Sequence, residues 1–161
     1  MNSNPNLLQT TLIVLLSLGF LSFLFIQEDR PKNQASSKIQ WVSIDQAQEL
    51  VKKEPRKVFV DVYTVWCGPC KLMDKTTFTD QNVIEYVNQH YYAVKLNAES
   101  TKKISYNGKE TTEKELAKTF KVIGYPTIIF IDEKFENINP QLGYVKASQF
   151  KQMLIEFKGG V

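Results

Sequence analysis

The chain has 161 residues, enough for one domain and an appendage, and 20 Lys and Arg against 17 Asp and Glu leave a net charge of +3. That small excess is spread along the chain with no basic block, which argues against a nucleic-acid-binding protein. Two cysteines are too few for a disulfide-built scaffold, and with His90 as its one histidine the chain has no four-ligand Cys/His zinc site of its own.

The first segment stands apart from the rest. Every charged residue lies at Glu28 or beyond, and Leu7 to Ile26 reads "LLQTTLIVLLSLGFLSFLFI". At about 1.5 Å per residue, a helix of this length crosses a hydrocarbon core roughly 30 Å thick. Leu12 to Ile26 also fits the apolar region of a signal peptide, so residues 1–27 are expected to be an anchor or a signal. No small-x-small cleavage pattern comes after it in "QEDRPKNQ", which favours an uncleaved anchor through residues 7–26. Arg30, Lys32 and Lys38 lie after the segment and none of their kind precedes it, and by charge alone this places the domain in the cytoplasm. N-terminal apolar segments commonly direct export of the domain attached to them, however, and the expectation is an extracytoplasmic, periplasmic domain. Residues 28–38 are polar and aperiodic, a linker, and residues 39–161 carry the domain.

A short strand is expected around "IQWV". In "SIDQAQELVKKE", Ser43 and Gln46 form a capping box ahead of the apolar stripe Ala47, Leu50 and Val51, and Pro55 ends the helix. "KVFVDVY", from Lys57 to Tyr63, is a β-branched run of the kind buried on both faces of a sheet, interrupted by Asp61. "KLMDKTTF" reads as helix, and Asp80 caps a further helix that turns Val83 and Val87 inward. "YYAVKLN" is a strand with one charge, Lys95. Thr112 and Glu115 cap a helix with Leu116 and Phe120 inside. "TIIFID" is a buried strand directly after Pro126, and "INPQLGYV" an edge strand, because Pro140 cannot donate to a ladder. Phe150, Met153, Leu154 and Phe157 mark the closing helix by their i, i+3, i+4, i+7 spacing. The order implies an α/β fold with a central mixed sheet covered by helices on both sides.

Both cysteines sit in "VWCGPCK", directly after the interrupted strand. A structural disulfide, half of a metal site and a redox dithiol are all open to such a pair. A cysteine at a helix N-terminus has its thiolate stabilised by free N–H groups and the positive end of the helix dipole. Gly68 permits a tight turn, and Pro69 suits a first helical turn, where no N–H is needed. Cys67 is then the exposed nucleophile and Cys70 the resolving thiol. A carboxylate in a buried strand is costly unless paired or protonated, so Asp61 needs a reason to be there.

The stretch "VDVYTVWCGPCK" resembles the active-site strand, loop and helix of thioredoxins. "GYPT", Gly124 to Thr127, falls where thioredoxins carry their cis-proline, and "AVKLNAE" resembles their third strand. The resemblance runs from about Ile39 to Phe157 and implies the thioredoxin fold. "CKLMDKTTFTDQNV" is similar to the corresponding segment in the C-terminal thioredoxin-like domain of DsbD-type transmembrane reductases, including Asp74 and the Thr77–Asp80 turn. By resemblance, Asp61 exchanges a proton with the inner thiol and Lys95 lies beside it, the alternative being a structural ion pair; Asp74 reads as an exposed helix charge or, by resemblance, as a group that raises the dithiol pKa. Trp66, Gly68, Pro69, Tyr125 and Pro126 would form the substrate surface, with the Tyr125 backbone pairing to an extended segment.

The implied function is a thiol–disulfide oxidoreductase, a protein-disulfide reductase acting on exported proteins. It needs no cofactor, because two sulfurs hold the electrons. Its expected partners are disulfide-containing substrate proteins and a thiol electron donor, with membrane contact through residues 7–26, no nucleic acid, and a monomeric state. A disulfide oxidase or isomerase, or a peptide-binding module with a vestigial dithiol, are the alternatives. Residues 99–111 exceed a minimal thioredoxin and carry an Asn107-Gly108 hairpin signal. They read as a surface insertion or as a docking element for a partner; deletion leaves activity on a generic disulfide intact in both cases and lowers turnover of a cognate protein only in the second. His90 reads as surface or helix-end structure.

Overall fold

The computed structural model describes residues 36–159. The expected anchor or signal at 1–27 and most of the expected linker lie outside them. Among the described residues no helix is long and apolar enough to cross a membrane.

Twelve elements succeed one another: β1 Trp41–Val42, α1 Ile44–Lys53, β2 Lys57–Tyr63, α2 Gly68–Thr76, α3 Gln81–His90 and β3 Tyr91–Asn97, then β4 Lys103–Tyr106, β5 Lys109–Thr112, α4 Glu113–Thr119, β6 Thr127–Ile131, β7 Ile138–Leu142 and α5 Ala147–Gly159. The main sheet has the order β1-β3-β2-β6-β7. β1 and β2 both run parallel to β3, and β6 is antiparallel to β2 and β7. This is the thioredoxin fold, a mixed sheet with helices on both faces.

Strand alternation sorts the core into two layers. Val58, Val60 and Val62 of β2 face a cluster with Ile44, Val51 and Leu116 from α1 and α4. Phe59 faces the opposite layer, built on Met73 of α2, Val83 and Val87 of α3, and Phe150 and Leu154 of α5. Asp61 has the parity of Phe59, so it points into the layer beneath α2. The local signals hold where the sequence places them. Ser43 and Gln46 close a capping box on α1, Asp80 accepts from the backbone N–H groups of Asn82 and Val83, and Thr112 caps α4. Pro140 sits on the edge strand β7, opposite Ile129.

The extra segment between β3 and α4 is more than a surface insertion. β4 and β5 form a separate two-stranded sheet, turned by Asn107 and Gly108 at φ of 49° and 75°, the positive pair a tight hairpin turn requires. Ile104 is buried in the α1–α4 layer, and Tyr106 packs edge-on against Phe120, ring centroids 5.4 Å apart. Gln48 of α1 fastens the outer edge, donating to the Ser105 carbonyl at 2.8 Å and accepting from the Asn107 N–H at 2.7 Å. Deleting the hairpin therefore opens the core, contrary to the expectation from sequence. Its residues alternate between polar and apolar over four positions only, too few for the buried side to stand out. Ile104→Ala is expected to cost about 2–4 kcal/mol in urea unfolding, the range for truncating a buried aliphatic side chain. A change within about 0.5 kcal/mol, the level of an ordinary surface substitution, would return the hairpin to the status of a surface appendage.

Candidate active site

β2 ends at Tyr63, and four residues, Thr64 to Cys67, carry the chain over to α2. The Cys67 N–H donates to the Thr64 carbonyl at 3.2 Å, closing a turn that places Cys67 as the N-cap of α2. Gly68 and Pro69 form the first helical turn, where the missing proline N–H costs nothing. Cys67 and Cys70 are joined in a disulfide, and the Cys70 N–H points at Cys67 Sγ at 3.1 Å. That N–H is one of the free donors at the helix start, aimed at the atom that carries negative charge once the disulfide is reduced.

The sequence leads to the expectation of an exposed Cys67, and the structure corrects it. Each cysteine is 3% exposed, because the two sulfurs are bonded to each other and covered. The exposed groups are their neighbours, Val65 at 61% and Trp66 at 64%. Trp66 is held in place despite this exposure. Its indole Nε1–H donates to Glu99 at 2.9 Å, and its ring meets Tyr125 edge-on at 5.9 Å. Tyr125 precedes Pro126, and the peptide bond between them is cis. The Pro126 carbonyl accepts from the Gly143 N–H at 2.8 Å, and Gly143 sits at φ 102°, open to glycine and costly for other residues. Val145, two residues on, accepts from the buried Thr77 hydroxyl at 2.6 Å, so the proline loop and the C-terminal end of α2 are fastened to one strap.

Beneath α2 lies a charged group of three. Asp61 of β2 and Lys95 of β3 are register partners, and Lys95 Nζ donates to Asp61 Oδ2 at 2.8 Å. Lys95 also donates to Asp74 of α2, one helical turn beyond Cys70, and so ties the sheet to the cysteine-bearing helix. The rings of Trp41, Tyr63 and Phe78 surround the ammonium at 4.9, 5.0 and 5.4 Å. Asp61 is 1% exposed and its Oδ1 has no hydrogen-bond partner. Burial pushes the Asp61 carboxyl up from its ordinary value, and the attraction of Lys95 only partly offsets it. Burial works against the charge on Lys95 too, but Asp61 and Asp74 outweigh it and hold the ammonium above its usual range. Asp61 is thus a buried carboxyl that holds its proton more tightly than a free aspartate, on the sheet face that α2 covers with Cys70 and Met73.

The sequence named Asp61, Lys95, Cys67, Cys70, Trp66, Tyr125 and Pro126, and the fold gathers them at one end of the sheet. Gly68 and Pro69 lie exposed on the same surface. Sequence reasoning missed Glu99 and the aromatic enclosure of Lys95, since no spacing along the chain links those residues. His90 stands apart at the end of α3, its ring 4.5 Å from that of Tyr86. Burial, Lys158 and Arg56 all lower its pKa. Among the described residues no group of three or more His, Cys, Asp or Glu side chains is placed to hold a metal.

A family model described as a thioredoxin-like domain matches residues 44–158. The chain belongs to the thioredoxin-like family. Thioredoxin-like relatives of known name agree with this. The chain is 34% identical over 109 residues to the thiol:disulfide interchange protein DsbD of Actinobacillus pleuropneumoniae, a match covering 66% of this chain and 17% of that protein. The chain therefore spans about a sixth of the length of that relative. Among solved structures, DsbH oxidoreductase matches with a TM-score of 0.62 at 20% identity, over 83% of this chain and 92% of the other. The oxidised C-terminal domain of Neisseria meningitidis DsbD matches with a TM-score of 0.54 at 22% identity, over 69% and 89%. These two structures share the thioredoxin-like fold with this chain.

Proposed function

We propose that this chain is a thiol–disulfide oxidoreductase that reduces disulfides in exported proteins, tethered through residues 7–26 with its domain, residues 39–161, on the extracytoplasmic side. The observation that carries the reading is the Cys67–Cys70 pair at the start of α2, with the Asp61–Lys95–Asp74 group below it and the cis-Pro126 loop beside it. In the reduced chain, the Cys67 thiolate attacks a substrate disulfide. One substrate sulfur leaves as a thiol, and a mixed disulfide joins the two proteins. Cys70 then attacks Cys67 Sγ and releases the second substrate thiol. Two electrons pass to the substrate and the Cys67–Cys70 disulfide forms. A thiol donor must then re-reduce it.

Asp61 takes the proton from Cys70 as that thiol becomes the attacking thiolate, and Lys95 with Asp74 sets how readily it does so. Trp66, Gly68, Pro69, Tyr125 and Pro126 form the surface against which the substrate lies. The reducing direction is read from Gly-Pro between the cysteines, in place of the histidine usual in oxidising relatives. The deciding experiment is the reduction potential of the Cys67–Cys70 pair, equilibrated in dithiol buffers. A value near about −270 mV is expected. One near about −120 to −180 mV would make the chain an oxidant or isomerase instead.

A further inference from the structure

A groove of about 480 Å³ opens between the end of β3 and α4. Ala98, Ala117, Val122 and Tyr125 give it some apolar lining, and Glu99, Lys114 and Lys118 line it as well. It is continuous with the cysteine surface, because Tyr125 and Glu99 are the two residues that hold the Trp66 ring. Ile123, next to Val122, is 89% exposed, the most exposed of the large apolar side chains. Val65 and Trp66, next to Cys67, are exposed as well, and exposed apolar side chains of this size mark protein contacts.

The charges on the walls are not equivalent. Glu99 lines the groove too, but one of its carboxylate oxygens is already engaged by the Trp66 indole N–H. Lys114 has no ion-pair partner among the described residues, and its backbone N–H is fixed to the Ser100 carbonyl. Lys118 pairs with Glu115 one turn back, but both side chains are more than half exposed, so that pair is readily exchanged for another acid. Two ammonium groups, one unpaired among the described residues and one in an exchangeable exposed pair, against one engaged carboxylate are complementary to a segment carrying carboxylates.

We infer that this groove binds an extended segment of the substrate protein that carries acidic side chains next to its reactive cysteine, with Lys114 and Lys118 as its specificity determinants. The inference rests on the reading of the cysteine pair as a reducing site, and it narrows the substrate class within it.

The test uses two synthetic peptides, each with one internal disulfide and identical except for two residues beside one cysteine, Glu-Glu in one and Lys-Lys in the other. Serine-for-cysteine versions of both report binding without chemistry, by calorimetric titration of the full chain. At low ionic strength the glutamate peptide is expected to bind, and to be reduced in kcat/KM, about three- to tenfold better, and salt should erase the difference. A Lys114→Glu, Lys118→Glu double variant should reverse the preference, and the corresponding alanine pair should bring the ratio close to one. Equal binding of the two peptides, a preference for the lysine peptide, or a preference that survives charge reversal would overturn the proposal. Discrimination in binding with neither disulfide peptide reduced would leave the groove assignment standing and defeat the reducing function.

Discussion

Cys67→Ser is expected to abolish reduction of protein disulfides, by about 10³-fold or more, whereas Cys70→Ser is expected to trap the substrate covalently. The two cysteines are equally buried in the disulfide, so burial does not separate their roles. Their positions on α2 do. Cys67 is the N-cap, at the very start of the helix and next to the exposed Val65 and Trp66, and its sulfur receives the Cys70 N–H. Cys70 lies one turn inside, on the buried face with Met73. A hydroxyl at position 67 is not ionised at neutral pH and cannot take over the attack. A hydroxyl at position 70 permits the first attack and prevents the second. Mass analysis under non-reducing conditions, with a disulfide-bearing protein as substrate, should show a mixed disulfide only for Cys70→Ser. Trapping by Cys67→Ser instead would exchange the two roles.

Asp61→Asn is expected to slow turnover and to flatten the pH dependence of both turnover and stability above about pH 3.8. Because burial raises the native-state pKa of Asp61 above 3.8, the native chain holds a proton that the unfolded chain has already lost. Stability therefore falls as pH rises from about 3.8 through the native-state value. An amide of the same shape does not titrate, so this loss disappears. The variant's stability should therefore differ less between pH 4 and pH 8 than that of the unaltered chain. Lys95 keeps its contact with Asp74 in this variant, which limits collateral damage. Denaturant unfolding at pH 4 and pH 8 reads the stability, and the pH–rate profile reads the proton. A profile identical to that of the unaltered chain would remove Asp61 from the proton exchange and leave it a structural ion pair.

Some of this site was legible from single segments. Asp61 stood out as the one charge in a run of apolar β-formers, and burying a carboxylate is costly enough to make such an exception informative. Cys67 and Cys70 stood out by their spacing and by Gly-Pro between them. Glu99 did not stand out, because a glutamate at the end of a strand is an ordinary solvated residue until Trp66 is folded over it. Trp41 lies in an expected short strand and Phe78 in the Thr77–Asp80 turn, and neither position by itself points to an ammonium. That their rings turn toward an ammonium comes from how β1 and the turn before α3 pack around β3. The hairpin from Lys103 to Thr112 was legible as a hairpin and misread as an appendage. A turn signal at Asn107-Gly108 depends on backbone φ alone, whereas the burial of Ile104 depends on α1 and α4 arriving from distant parts of the chain.

The sequence by itself determined which segments become helix or strand, where the caps fall, and which tetrapeptide holds the sulfurs, because all of these arise from interactions within a few residues. Only the tertiary structure decided that Asp61, Lys95 and Asp74 act as one charged unit, that Trp66 is held by Glu99 and Tyr125, and that a lysine-walled groove opens next to it. Those relations join residues from different elements, and their energies depend on desolvation and distance. Both exist only once the sheet has brought β2 beside β3 and laid α2 across them.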